Sequence, residues 1–547
     1  MSPSRPNKLT VAANAANESL ADRLLAGTVT RLKRAARVVL PGGTRRRQLA
    51  MSLIDRSEGA ANAAFQRWIA SVEPGLWSPL APPGGPLISV VVPAYNTPDR
   101  YLVPLIDSVL AQTYPRWGLC LVDGSTDPAR SEAIAAQALR DDRIQLIRLD
   151  SNRGIAGNTN AGIEAARGDF VAFLDHDDTL APGALNEVAA GLAANPGIEL
   201  FFSDEDKLSD DGDVRSHPFF KPGWCRDLFL YGNYLAHFVV ARTELVHKIG
   251  RVRPGFEGAQ DYDFILRALD HDPVIAHVPR FSYHWRFAEG STSTGARRKK
   301  GAGDAGYRAL SEYLTRNGIA AEVERIPDYP TNYRVRYQPS TPPAVHLAAG
   351  PGRFLGELQS AADYPALDIL DDLHAVGQLP PEDVIVVVEV SGRPLHPTWI
   401  AELAGVAVQP GVGCVTPAVL DAWGTSAGIG WGAAGDRLWP LLAGDRWSRF
   451  TRASQVAWPR NLVAAGSIVA LTVGLAAELA RAGAALDCAG LSLGAHQRGL
   501  RNVYWPFARF LSPERLEPIA RPDGIVDRYV NPNLAPDQRG LPDPPQS

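Results

Sequence analysis

Between Leu87 and Leu174, short apolar runs rich in β-formers alternate with helical segments, and this alternation limits the possible folds more than any other feature. Leu87–Val92, Leu119–Val122, Ile144–Leu149 and Phe170–Leu174 read as strands. Tyr101–Ala111, Ser131–Leu139 and Ala156–Ala166 read as the helices between them. Strands that alternate with helices assemble as a parallel sheet with helices on both faces. Such sheets bind ligands at the carboxyl ends of their strands. The informative polar residues fall there: Pro93-Ala94-Tyr95-Asn96, Asp123-Gly124-Ser125, Asn152-Arg153-Gly154 and Asp175-His176-Asp177-Asp178.

The last group is the most demanding. Three carboxylates at the end of a buried strand repel one another and are costly to desolvate. A divalent cation relieves this, and hard oxygen ligands suit Mg²⁺ or Mn²⁺, which bridge one or two carboxylates to substrate phosphates. An acidic turn is the other reading, with Asp178 or Thr179 capping a helix that begins near Pro182. Either fits the segment by itself. The convergence of four polar strand ends on one sheet edge favours the metal.

The chain has 547 residues, too many for one core, so two to four domains are expected. It is 45% hydrophobic and 21% charged, as soluble globular proteins are, and its formal net charge of −4 makes no case for nucleic-acid binding. The cysteines at 120, 225, 414 and 488 form no CxxC pair, which argues for a reducing compartment and against structural zinc. Met1–Asn17 lacks the apolar core of a secretory signal. Leu462–Ala477 is too short and too rich in small residues to span a bilayer, and reads as a strand leading into a helix.

Residues 1–80 read as an extension. Leu25, Val29, Leu32, Ala36 and Val39 share one helical face, with Arg23, Lys33, Arg34 and Arg37 on the other. Two readings stay open: a basic helix lying on an anionic membrane surface, or a helix packed on the main domain with a solvated basic face. Pro82–Pro86 is a linker.

The segments VVVPAYN (Val90–Asn96), SVLAQTYPRW (Ser108–Trp117), LVDGSTD (Leu121–Asp127), Asn152–Pro182, FFSDEDK (Phe201–Lys207), GAQDYDFILRA (Gly258–Ala268) and YHWR (Tyr283–Arg286) follow in this order. Together, over about residues 87–337, they resemble the family 2 glycosyltransferases. The similarity is to the branch that builds bacterial O-antigens and other surface polysaccharides, rhamnosyltransferases among them.

The resemblance implies the GT-A fold, an α/β architecture with a mixed, mostly parallel sheet, and a catalytic domain over 87–338. Pro93, Tyr95, Asn96 and Asp123 would line the nucleoside pocket, although the family usually has two aspartates where only Asp123 stands. Arg153 would lie near the diphosphate, and Asp175 near the ribose. Asp175, Asp177 and Asp178 would form the metal site, and His284 and Arg286 would reach the diphosphate or metal, although a lone histidine in an aromatic stretch also reads as a satisfied core residue. Asp261 aligns with the general base, with Gln260 replacing the usual glutamate. Asp263 reads instead as favourable charge at a helix N-terminus. Ser203–Lys207 is either a pocket wall or a charged loop, and Glu289–Gly303 either a flexible lid or a connector.

After Pro339–Pro343 a second α/β segment, 344–513, resembles a worn copy of the same domain, and 514–547 is a Pro-rich tail. Its metal position reads Glu389-Val390-Ser391, and its base region Asp487-Cys488-Ala489-Gly490. The link from Asp372 to Val384 is too short for the elements between the corresponding strands of the first domain. The expectation is a cytoplasmic, inverting, metal-assisted transferase, peripheral on the inner face of the plasma membrane where the basic helix lies on that surface. It would move a sugar, rhamnose by resemblance, from a nucleotide-diphosphate sugar to a glycan or lipid-linked glycan. The alternative is a non-catalytic scaffold of polysaccharide assembly. A nucleotidyltransferase would need a Gly-rich basic loop after the first strand, which is absent.

Overall fold

The structure is a computed structural model that describes residues 62–82, 84–287, 296–326, 329–349, 355–434, 436–443, 458–527, 529–531, 535–536 and 542–543. The basic helix read at 23–40 lies outside these residues. Among the described residues no helix is long and apolar enough to cross a membrane.

The first unit is built on nine strands: β1 Ile88–Ala94, β2 Trp117–Asp123, β3 Ile144–Arg148, β4 Phe170–Phe173, β5 Thr179–Leu180, β6 Leu200–Leu208, β7 Arg215–Phe219, β8 Val240–Arg242 and β9 Ile275–Arg286. They form one sheet in the order β3-β2-β1-β4-β8-β6-β9-β5, with β7 beside β6. The first four strands are parallel, β8 runs against β4 and β6, and β9 is parallel to β6. Alternate residues point to opposite faces of a strand. Accordingly Val91 joins one apolar cluster with Phe264 and Ile265, while Val90 and Val92 join another with Leu102 and Leu185. The near-continuous hydrophobic strands of the sequence are those of a sheet buried on both sides.

Residues 62–76 dock on this unit. Phe65 and Trp68 pack with Phe220 and Phe281, and Arg215 forms a two-pronged ion pair with Glu73, both bonds 2.7 Å. Of the segment read as a lid, residues 296–303 belong to the long helix Ala296–Arg316 instead.

The second sheet repeats the first. Its strands, in spatial order, are Leu367–Ile369, Val345–Ala349, Val384–Val388, Ile468–Thr472, Val412–Leu420, Arg501–Leu511 and Arg393–Pro394, with Arg460–Leu462 beside Arg501–Leu511. With β3 removed, the first sheet has the same order, the same sequence of strands along the chain and the same parallel or antiparallel sense at every step. The missing edge strand is explained by the short link, where only the short 3₁₀ helix Leu373–Gln378 stands between strands. The strand-then-helix reading of 462–477 is met by Ile468–Thr472 and Val473–Arg481.

Candidate active site

Asn96, two residues after β1, has a positive φ of 49°, a conformation that asparagine tolerates better than most residues. Its side chain holds the next strand end: Oδ1 accepts from the Thr126 and Asp127 amides at 3.0 and 3.1 Å, and Nδ2 donates to Thr126. Asp123 is buried at the end of β2, with Oδ1 accepting from the Ser125 amide at 2.9 Å and Oδ2 accepting from the Ser131 hydroxyl. These two residues join the strand ends into one rim. Pro93 is buried in β1, Tyr95 is exposed on the rim, and Arg153 is an exposed residue just before the helix Gly154–Ala165.

The three aspartates after β4 do not converge. Asp178 is fully buried. It accepts from the Tyr283 hydroxyl at 2.6 Å and the Arg286 amide at 2.7 Å. Both of its oxygens therefore tie β5 and β9 to the loop, and the expectation of Asp178 as a metal ligand is corrected. Among the described residues no group of three or more His, Cys, Asp or Glu side chains is arranged to hold a metal ion. Asp175 and Asp177 are partly exposed. Crowding by protein raises the pKa of Asp175; His237 works against this rise, and Asp177 adds to it.

His284 takes the core reading and not the diphosphate or metal role. Its Nδ1 lies 2.7 Å from Asp206 Oδ1 in the interior, so it belongs to a buried pair. Arg286 is buried beside it. Nε donates to the Asp177 carbonyl at 2.8 Å and Nη1 to the Ser209 and Asp210 carbonyls, while Nη2 has no hydrogen-bond partner among the described residues.

Asp261 opens the helix Gln260–Leu269, with its Oδ1 accepting from the Tyr262 amide at 2.9 Å and its Oδ2 accepting from Asn233 Nδ2 at 2.8 Å. Burial raises its pKa; the positive field of His237 and these donors pull it back. Asp263 lies in the first turn of the same helix and is bound by Arg253 and by Arg267 Nε at 2.9 Å, ion pairs that the reading of it as helix N-terminal charge did not include.

Sequence reasoning missed the residues that stand between these carboxylates. Ser203–Lys207 is neither a loop nor a pocket wall but the buried stretch of β6. Glu205 accepts from the His237 amide at 2.7 Å, and its carboxylate lies 3.1 Å from His237 Nδ1. Lys221 Nζ lies 3.4 Å from the same carboxylate. Burial opposes the Glu205 charge, but Lys221 and His237 outweigh it and hold the pKa well below the usual range. His237 stacks on Tyr283 with ring centres 4.7 Å apart and brings Nε2 to 4.0 Å from Asp175. Burial lowers the His237 pKa, but Glu205, Asp175 and Asp178 more than offset this, so the net shift is upward and favours the imidazolium.

In the second unit the equivalent positions are closed on each other. Glu389 follows Val384–Val388 and accepts from the Cys488 amide at 3.0 Å, at the first turn of the helix Cys488–Gln497.

Residues 89–250 match the family described as Glycosyl transferase family 2. The chain is 35% identical over 379 residues to the uncharacterized protein y4gI of Sinorhizobium fredii, covering 60% of this chain and 42% of that protein. It is 39% identical over 317 residues to the O-antigen biosynthesis protein RfbC of Myxococcus xanthus, covering 56% of this chain and 24% of that protein. With the succinoglycan biosynthesis protein ExoO of Rhizobium meliloti it shares 32% identity, covering 38% and 63%. The chain thus spans less than half the length of the first two relatives. A crystal structure of TarS 1-349 from S. aureus with UDP-GlcNAc overlaps 42% of this chain and 66% of that one, at 20% identity and a TM-score of 0.36. The assignment rests on sequence: over residues 89–250 this chain is similar to the family 2 glycosyl transferases.

Proposed function

We propose that the first unit transfers a sugar from a nucleotide-diphosphate donor to a hydroxyl of a surface glycan, with inversion at the anomeric carbon, and that Asp261 is the general base. The observation that carries this reading is the pairing of two carboxylate stations. Asp175 follows β4, Asp261 opens the helix Gln260–Leu269, the Asp261 charge helps to raise the Asp175 pKa, and His237 acts on both carboxylates. The acceptor hydroxyl loses its proton to Asp261 as its oxygen attacks the anomeric carbon, and the nucleoside diphosphate departs from the opposite face. One displacement with one base gives inversion.

Asp175 and Asp177 are the carboxylates that would hold Mg²⁺ or Mn²⁺, with the diphosphate supplying further oxygens. Two carboxylates whose mutual repulsion helps to raise one pKa are a donor set that a hard cation relieves. Such a cation, when bound, stabilises charge on the leaving diphosphate. Arg286 Nη2 is a remaining donor near this loop. Excess chelator is therefore expected to lower sugar transfer by roughly tenfold or more, and Asp177→Asn to weaken Mn²⁺-dependent binding of the donor. Full transfer in chelator contradicts the metal role. RfbC and ExoO are named for polysaccharide biosynthesis, which supports a glycan or lipid-linked glycan as acceptor.

The second unit is proposed as non-catalytic. Its Glu389 is occupied by the Cys488 amide where the first unit keeps two carboxylates apart, and Glu389→Gln is expected to leave transfer within about twofold of the parent.

Asn233 bears on pH dependence. Asp261 works as a base only when ionised, so activity rises with pH through its raised pKa. Asn233 donates to the ionised form and lowers that pKa. Asn233→Ala is therefore expected to move the acid limb of the kcat profile to higher pH; an unmoved limb contradicts the pairing.

A further inference from the structure

We infer that Asn531, reaching in from beyond the second sheet, is a positioning residue for the acceptor side of the first unit's active site. The inference rests on the reading of Asp261 as the base. Asp204, Lys221 and Asn531 are all buried to 1% exposure or less. Asn531 Nδ2 donates to both oxygens of Asp204, at 2.9 and 2.8 Å, and to the Lys221 carbonyl at 2.8 Å. The Lys221 amide donates to the same Asp204 carboxylate at 2.9 Å, and His277 Nε2 lies 2.8 Å from it. Two residues away, the Gly223 amide donates to the Tyr529 carbonyl at 3.1 Å.

The Lys221 backbone is thus fixed from both sides by groups more than three hundred and fewer than twenty residues away. Its ammonium then reaches forward. Nζ donates to the Leu235 carbonyl at 3.1 Å and to the His237 carbonyl, besides facing Glu205. Those carbonyls belong to the loop that presents Asn233 to Asp261 and His237 to Asp175. A carboxylate base must sit within hydrogen-bond reach of the proton it removes, and an error of about 1 Å costs up to roughly 10²-fold in rate. The second unit, whose own equivalent site is closed, thereby contributes through the segment that follows it to the geometry of the active one.

The test compares Asn531→Leu and Asn531→Ala with the parent and with Val526→Ala, an exposed control in the same segment. Asn531→Leu keeps most of the volume and removes the donor. Hydrogen exchange at the His237 amide, which is held by Glu205, is expected to quicken by about tenfold in both Asn531 variants. Release of nucleoside diphosphate from UDP-GlcNAc, GDP-mannose and dTDP-rhamnose, with Mn²⁺ and a glycan acceptor, reports turnover. The kcat is expected to fall by about tenfold while the donor KM stays within about twofold. Val526→Ala is expected to match the parent in both measurements. Unchanged exchange at His237 overturns the inference, as does faster exchange with unchanged kcat or with a donor KM raised as much as kcat is lowered. If the parent itself releases no diphosphate from any donor, the functional reading fails, and unaltered exchange at His237 would remove the positioning link as a separate result.

Discussion

Asp261→Asn is expected to reduce kcat by roughly 10²-fold or more with donor binding almost intact, because the change removes a proton acceptor and leaves the shape of the site. Asn keeps an oxygen for the Tyr262 amide, so the helix start should survive, while its amide nitrogen replaces the oxygen that Asn233 bonds. The donor side is proposed to be built from other residues, Asn96, Asp123 and the loop after β4, none of which touches the Asp261 carboxylate through a described hydrogen bond. Steady-state kinetics and calorimetric binding of the nucleoside diphosphate with Mn²⁺ separate the two. A loss of binding equal to the loss of turnover would mean that Asp261 holds the site together instead of acting in it.

The second large effect is on stability. Lys221 faces Glu205 inside the protein, and removing one partner of a buried ion pair costs about 3–5 kcal/mol because the other charge is left uncompensated. Lys221→Met should lose that much in denaturant unfolding near neutral pH. The sign with pH follows from Glu205. Its folded pKa is depressed below the ordinary 4.5, so in the parent its contribution is present above that value and is lost as pH falls toward the folded one. In Lys221→Met the same carboxylate is buried with His237 and the weaker field of Lys207 to compensate it, and the deficit should shrink in acid, where Glu205 takes up a proton. Adding Glu205→Gln to Lys221→Met should recover part of the loss. A Lys221→Met protein as stable as the parent would contradict the buried pair.

Much of the architecture was legible because it depends on local pattern. The apolar runs from Leu87 to Leu174 appear as strands within a residue or two of their read positions, and the polar strand ends meet on one rim. The worn second copy was legible from its short link and from Glu389, and the repeated strand order bears out a second, shortened α/β unit. The charged core was not legible. Ser203–Lys207 carries four consecutive charges, a pattern that ordinarily marks a solvated surface, yet its partners come from Lys221, His237, His277, His284 and Asn531. Those residues lie far from it in sequence, so no spacing advertises them. The one available signal was the pair Phe201-Phe202 running straight into the charges, as Phe170–Leu174 runs into Asp175. His237 was hidden in the apolar run Leu235–Val240, where it reads as core. Asp178 failed as a ligand because acidic spacing counts carboxylates without telling which way each one faces; Tyr283 and Arg286 turn this one inward.

The central claim, that the first unit is an inverting sugar transferase, is tested most directly by the stereochemistry of its product. The protein with Mn²⁺ and a hydroxyl acceptor would be offered UDP-GlcNAc, GDP-mannose and dTDP-rhamnose, and any glycoside formed would be read by NMR at the anomeric carbon. The account predicts transfer from one of these donors with the anomeric configuration opposite to that of the donor, lost in Asp261→Asn. Retention of configuration, or transfer that persists undiminished in Asp261→Asn, would contradict it.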